Sequence, residues 1–472
     1  MSAAERSVAV VGSSVAAVMA ALSLAEHDWH VTLITTTSRF GGHFAGLTLG
    51  GQAFDAGMVF LEFTSFNAER DADVSTYEPA VRNDAGRFVQ VVAQTLARFG
   101  AWRTVDTPHM RFGEHDVPDL LIANDLTALS QLPPDVRARM RLELRDATEG
   151  ARGPLHPSRK TTDPAFDQLD FRTASLANHG PSLHAALIEP FCLKITGRGS
   201  DALLARYHRL AWLPLYYPET LRRALEGERP SLPETRFSYP LHGSVGVLIR
   251  EMTSQLQAHP KVSVLTAGVT GVSSPEHRVV LRLSTGAAIT VDRLVWGAEP
   301  DTLLACAGED RTPPLERASV TLASVLVRSA ALHTTGGTLL VPHDTTLPFR
   351  VTNQSRAAGD VAEFSRLSCE WNSEYLPGDA ATMEAKARTA LGALNIVTDD
   401  SAVTDIRVDV FRDALVLPTH ANVDVVASRT RLLARRFPTV PCIGPAAPFG
   451  ASSLNDQIIQ GLKVGQELET TA

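Results

Sequence analysis

The chain has 472 residues, 44% apolar and 20% charged, with a formal charge of −8. Its length predicts two or three domains of ordinary globular composition, and its acidic balance without a long basic run speaks against nucleic acid or an anionic membrane as main partner. No run reaches the roughly 18 apolar residues of a membrane span, no secretory leader is read, and Cys192, Cys306, Cys369 and Cys442 are far apart without a CxxC pair; the expectation is a cytoplasmic protein with reduced thiols and no metal site.

Residues 6–12 are the first predicted strand, with Gly12 at its end. Ser13 to Glu26 follow as an Ala-rich helix, capped by Ser13 or Ser14. Trp29 to Thr35 form the second strand. This strand–helix–strand unit reads as half of a nucleotide-binding fold, with the helix start (Ser13, Ser14, Val15, Ala16) aimed at an anion. Only the first glycine of the usual dinucleotide loop is present; Ser14 and Ala17 hold the other two places. An acidic residue commonly ends the second strand and binds a ribose hydroxyl, but here Thr35 and Thr36 stand there, with hydroxyls in place of a carboxylate.

The next string is Arg39, Gly41, Gly42 and His43, then a hairpin, then Phe54, Asp55 and Gly57. An arginine neutralises phosphate, and glycines let backbone approach a flat ring. These motifs, in this order after Gly12, resemble those of FAD-dependent flavoproteins of the amine oxidase and protoporphyrinogen oxidase type, which include the UDP-galactopyranose mutases. The resemblance implies an α/β fold: a discontinuous Rossmann-like FAD-binding domain with an inserted α+β substrate domain that includes a helical cap. It assigns residues 1–65, 236–300 and 410–472 to the FAD-binding domain, 66–235 to a mostly helical cap and 301–409 to a β-rich substrate domain. It implies FAD as cofactor, lying along Gly12 to Ala16, Thr35, Thr36, Arg39, Gly41, Gly42 and His43.

Residues 66–235 show helical patterns broken by Pro and Gly. Within them Lys194, Gly197, Leu203, Arg209 and Pro214 resemble a mutase segment; a solvated Lys and Arg on a helical face is the alternative. Tyr239, Pro240, Gly243, Gly246 and Leu248 match the flavoproteins' loop entering a returning helix. Strands over 262–300 follow. There the resemblance implies that the Val269 backbone contacts adenine and that the small turn at Gly297 lies near the flavin. Residues 316–412 alternate in places and read as β-rich, with Arg350 in an Arg-Val-Thr string that mutase-like members direct at substrate. Residues 380–394 read as a structural amphipathic helix. The closing motif carries Gly444, Pro445, Ser453, Leu454, Asn455, Ile458 and Gly461. It implies a helix N-terminus at the pyrimidine edge of the flavin. Pro445 departs from a position that is charged in relatives and has no N–H to donate.

Arg350, Lys194 and His43 are the candidate catalytic residues; His43 and His242 also fit structural hydrogen-bonding roles. One functional reading is an FAD-dependent oxidoreductase taking a hydride from a small organic substrate. A second is a redox-neutral, mutase-like flavoenzyme in which Lys194, Arg209 and Arg350 hold the diphosphate of a nucleotide sugar, although residues 413–422 lack the clamping tyrosines of that group. A third, from the altered glycine loop, is a non-catalytic flavoprotein-like subunit.

Overall fold

A computed structural model describes residues 6–65, 92–145, 168–228, 234–274, 278–333, 336–449 and 453–470. Three parts of the expected cap, 66–91, 146–167 and 229–233, lie outside the described residues.

The N-terminal unit consists of β1 (Ser7–Val11), α1 (Val15–Glu26) and β2 (His30–Thr35). β1 is flanked on one side by β2 and on the other by the strand Arg293–Trp296, and Val262–Thr266 adds to β2. All four strands are parallel, which requires crossovers and accounts for the apolar run in β1. The chain at Pro441–Ile443 extends this sheet: Trp296 N donates to Pro441 O (2.9 Å), and Ile443 N donates to Trp296 O (2.9 Å).

Every residue of α1 from Val15 to Ala25 is buried. A helix without a polar face must be covered all round, and α1 lies between its sheet and the C-terminal helix Leu454–Thr470. The two helices approach so closely that a Cβ on Gly461 would stand 2.7 Å from Ala16 O. The small residues of the first and last segments are therefore one packing feature.

A seven-stranded sheet forms the second layer. Its order is 403–416, 317–328, 364–372, 350–353, 338–340, 109–112 and 115–118. Strand residues alternate between faces. Ala323, Val325, Cys369 and Trp371 turn to one side and share a core with the helix Ala380–Ala393. Leu322, Arg350 and Glu370 turn to the other side, toward a cavity.

Two features differ from the sequence reading. Strands occur inside the segment expected to be mostly helical: Trp102–Thr104, His109–Phe112 and His115–Pro118. The last two join the large sheet through the parallel pairing of Leu339 with His109. The expected boundary at 409/410 falls within the continuous strand Val403–Val416. The described residues of 92–228 also include the helices Pro134–Glu143, Phe171–Leu183 and Glu189–Thr196.

Candidate functional site

A cavity of about 1080 Å³ opens between the segments 43–60 and 445–459 on one side and the large sheet on the other. That is just above the roughly 300–1,000 Å³ usual for small-molecule sites. His43, Pro445, Leu454 and Asn455 form part of one wall; Arg350, Glu370, Leu322 and Val320 form part of the other. Between them the surface is mainly apolar, with Phe44, Met58, Phe60 and Trp212.

The loop after β1 is shaped by close packing. Gly12 has φ +131°, and a Cβ on it would stand 2.5 Å from Gly297 O. Only glycine fits that conformation and that crossing. Gly297 N in turn donates to Val11 O (2.6 Å), so the turn after Trp296 is hydrogen-bonded to the end of β1. Ser14 is the N-cap of α1, its Oγ accepting from Ala17 N at 3.3 Å. Gly41 N donates to Ser13 O (2.7 Å), bringing the Arg39–Gly42 string beside that cap. The Arg39 guanidinium reaches Gly46 O, and Gly42 borders open space. At the far end of β2, Thr35 Oγ1 donates to Thr37 O (3.1 Å), so its hydroxyl hydrogen is engaged within its own turn. Thr36 is exposed, and a Cβ on Gly268 would stand 3.8 Å from its methyl, so Val269 lies close to the end of β2.

The Phe54-Asp55-x-Gly57 and Tyr239-Pro240-x-x-Gly243 strings, separate in sequence, meet in the fold. Asp55 is fully buried; it accepts from Tyr239 Oη and from the amides of Val245 (3.2 Å) and Gly246 (3.4 Å), the first residues of the helix Val245–Ala258. A carboxylate at a helix N-terminus meets unsatisfied N–H groups and the positive end of the helix dipole. Burial nevertheless dominates and raises the Asp55 pKa to about 6. Gln354 hydrogen-bonds both the N–H and the C=O of Asp55. These motif residues join the nucleotide unit to the returning helix.

His43 faces the cavity and is partly exposed, and desolvation by the cavity walls lowers its pKa to about 4. It is neutral at pH 7, able to donate or accept a hydrogen bond. Arg350 also faces the cavity but is held by a carboxylate: its Nε is 2.7 Å from Glu370 Oε1, and Nη2 is 2.6 Å from Oε2. Both side chains are over nine-tenths buried, and the guanidinium lies 4.8 Å from the Trp212 ring centre. Lys194 is not among the residues bordering the cavity. Its Nζ donates to Val341 O and His343 O, each at 2.7 Å, fastening the helix Glu189–Thr196 to the loop after strand 338–340. Burial lowers its pKa to about 7. Of the predicted site residues, His43, Arg350, Pro445, Leu454 and Asn455 border the cavity; the loop Gly12–Ala16, Arg39, Gly41, Gly42 and Lys194 are not part of its lining. His242 is at the surface, 3.2 Å from Asp360.

Neither a protein-family model nor a curated protein matches the sequence. Solved structures do match over almost the whole length. A reduced UDP-galactopyranose mutase superposes with a TM-score of 0.73 at 15% identity, covering 99% of this chain and 96% of the other. A protein from Exiguobacterium sp. assigned as a protoporphyrinogen oxidase gives 0.69 at 14% identity, covering 99% and 100%. Putrescine oxidase bound to putrescine gives 0.58 at 12%, covering 98% and 99%. The chain shares the fold of these proteins. At such identities the likeness is one of fold, while chemistry is decided by the site.

Three site residues were not singled out from sequence. Glu370 sits beside Cys369 in a strand that reads as core, and only the register opposite Arg350 reveals its partner. Trp212 lay in the segment compared with the mutases but was not assigned a role. Gln457 is one turn before Gly461 in the closing helix; a polar residue that is 5% exposed is the kind of signal a burial pattern provides and a motif does not.

Proposed function

We propose that the chain is an FAD-dependent oxidoreductase that takes a hydride from a small organic substrate. In this reading residues 1–65, 236–300 and the end of the chain form a discontinuous FAD-binding domain, the helical segments up to 235 a cap, and the large sheet the substrate side. The observation that carries it is the cavity whose sheet face, with Arg350 and Glu370, lies across from the start of the C-terminal helix, a helix that also meets the start of α1 through Gln457. The residues present fit the cofactor: the cavity is large, Gly42 borders open space, the helix Leu454–Thr470 begins at the cavity wall, and its Gln457 also meets the start of α1. Gly12 to Ala16, Arg39 and Gly41 would hold the pyrophosphate, Thr36 and Val269 the adenosine end, and His43, Pro445, Leu454 and Asn455 the ring system.

When bound, FAD supplies a two-electron hydride acceptor. The chain's own residues position and desolvate. The apolar walls exclude water from the reacting bond. Neutral His43 offers a hydrogen bond without adding charge beside the ring site. The Arg350–Glu370 pair presents a charge-balanced polar floor under the substrate, so a neutral amine or alcohol is accommodated without a compensating ion. Anaerobic mixing with candidate amines and alcohols tests this: bleaching of the flavin band without added reductant is expected, and no bleaching by any of them, with activity on a nucleotide sugar only after dithionite reduction, would favour the mutase-like reading. That second reading has on its side the mutase superposition. Against it stand the position of Lys194 and the pairing of Arg350, which remove two of its three diphosphate contacts.

A further inference from the structure

Two amides at the start of α1 are already answered by side chains of the protein. Ala17 N donates to Ser14 Oγ at 3.3 Å. Ala16 N donates to Gln457 Oε1 at 3.3 Å, across 441 residues of sequence. The same helix supplies Gln460, whose Oε1 accepts from Gly444 N at 2.7 Å. Gln457 is 5% exposed and borders the cavity, so it stands where the cavity meets the helix start. Its reach is fixed, because Gly461 one turn later packs against Ala16 and Met19.

A helix N-terminus attracts phosphate because its first N–H groups lack partners and carry partial positive charge. A side-chain amide oxygen on Ala16 N removes one of those donors. We propose that Gln457 is an internal competitor for the cofactor's pyrophosphate: its amide oxygen occupies the donor that a phosphate oxygen would take, so loading requires an exchange of partners and the cofactor is held reversibly. This rests on the FAD reading above. Gln457 would thereby be a residue that sets cofactor affinity. Its influence is confined to ligands that carry the pyrophosphate.

The test is a titration of apo protein with FAD, followed by quenching of flavin fluorescence, for wild type, Gln457→Ala, Gln457→Asn and Gln457→Glu, with riboflavin as the probe lacking phosphate. Removing the competitor in Ala, or shortening it in Asn, is expected to tighten FAD about fivefold to tenfold, the worth of one net hydrogen bond. Glu keeps the acceptor and adds like charge, and is expected to weaken FAD by at least as much. Riboflavin affinity should stay the same across the set. A merely damaged helix would weaken FAD in all three variants, and that result would overturn the proposal. Equal FAD affinity in all four proteins would overturn it while leaving the FAD reading intact. FAD binding by none of the four would overturn both.

Discussion

Replacing Glu370 by Leu removes the carboxylate that holds both Nε and Nη2 of Arg350. The guanidinium, 4% exposed, is then left against the Trp212 face with no anion beside it. Breaking a buried pair by removing one partner typically costs about 3–5 kcal/mol, because the remaining charge is uncompensated. The opposite change, Arg350→Leu, strands a carboxylate that keeps, among the described residues, the Met58 amide at 3.1 Å, and falls in the same range. The double replacement strands neither charge and should lie within about 2 kcal/mol of wild type, the Met58 N–H losing its acceptor. Urea unfolding of the four proteins at pH 7 measures this. The ranking is the decisive feature, since a chain of this size need not unfold in two states. A double variant as unstable as the sum of the singles would show that the two residues act independently. That would refute the charge-balanced floor on which a neutral substrate is proposed to sit.

Other expectations follow from the buried polar groups. His179 accepts from Tyr216 N (2.8 Å) and meets Ser175 Oγ (3.0 Å), and burial with the neighbouring histidines lowers its pKa from 6.5 to about 3. Between those values the unfolded chain binds the extra proton, so stability is lost as pH falls below 6.5, by about 2 kcal/mol at pH 5. His179→Gln should flatten that much of the slope between pH 7 and 5 in urea midpoints, and an unaltered slope would contradict the assignment. Asp55→Ala deprives Tyr239 and the helix start at Val245 of their acceptor and should lower stability by about 2–4 kcal/mol. Asp55→Asn retains an acceptor and should cost less; equal thermal midpoints for the two variants would argue against a capping role. Lys194→Met should lower stability by about 1–3 kcal/mol, since two carbonyls lose their donor, while leaving FAD affinity unchanged. A loss of FAD affinity in that variant would return Lys194 to the cofactor site.

What was legible in the sequence was local. The apolar runs of β1 and β2, the Ala-rich α1 and Gly12 between them define a parallel unit whatever the rest of the chain does. The strings around Asp55 and Tyr239 were visible as strings, but their function is a contact across 184 residues that no spacing predicts. The same limit applies to Arg350. A sequence shows its charge; the neighbouring strand supplies the carboxylate that cancels it. The hairpin at 109–118 had a local signal that was passed over: Met110 and Phe112 alternate with polar residues before Gly113, whose φ is +62°. Lys194 was carried over from a family string, and the helix bearing it turns that residue toward backbone carbonyls rather than the cavity.

The central claim is that this cavity holds FAD. The visible spectrum of the purified protein, before and after incubation with FAD and desalting, tests it most directly. Bound flavin bands near roughly 370 and 450 nm at close to one flavin per chain are the expected result. A protein that remains colourless after reconstitution would contradict the account and leave the altered loop of Ser14, Thr35 and Pro445 as that of a scaffold without a cofactor.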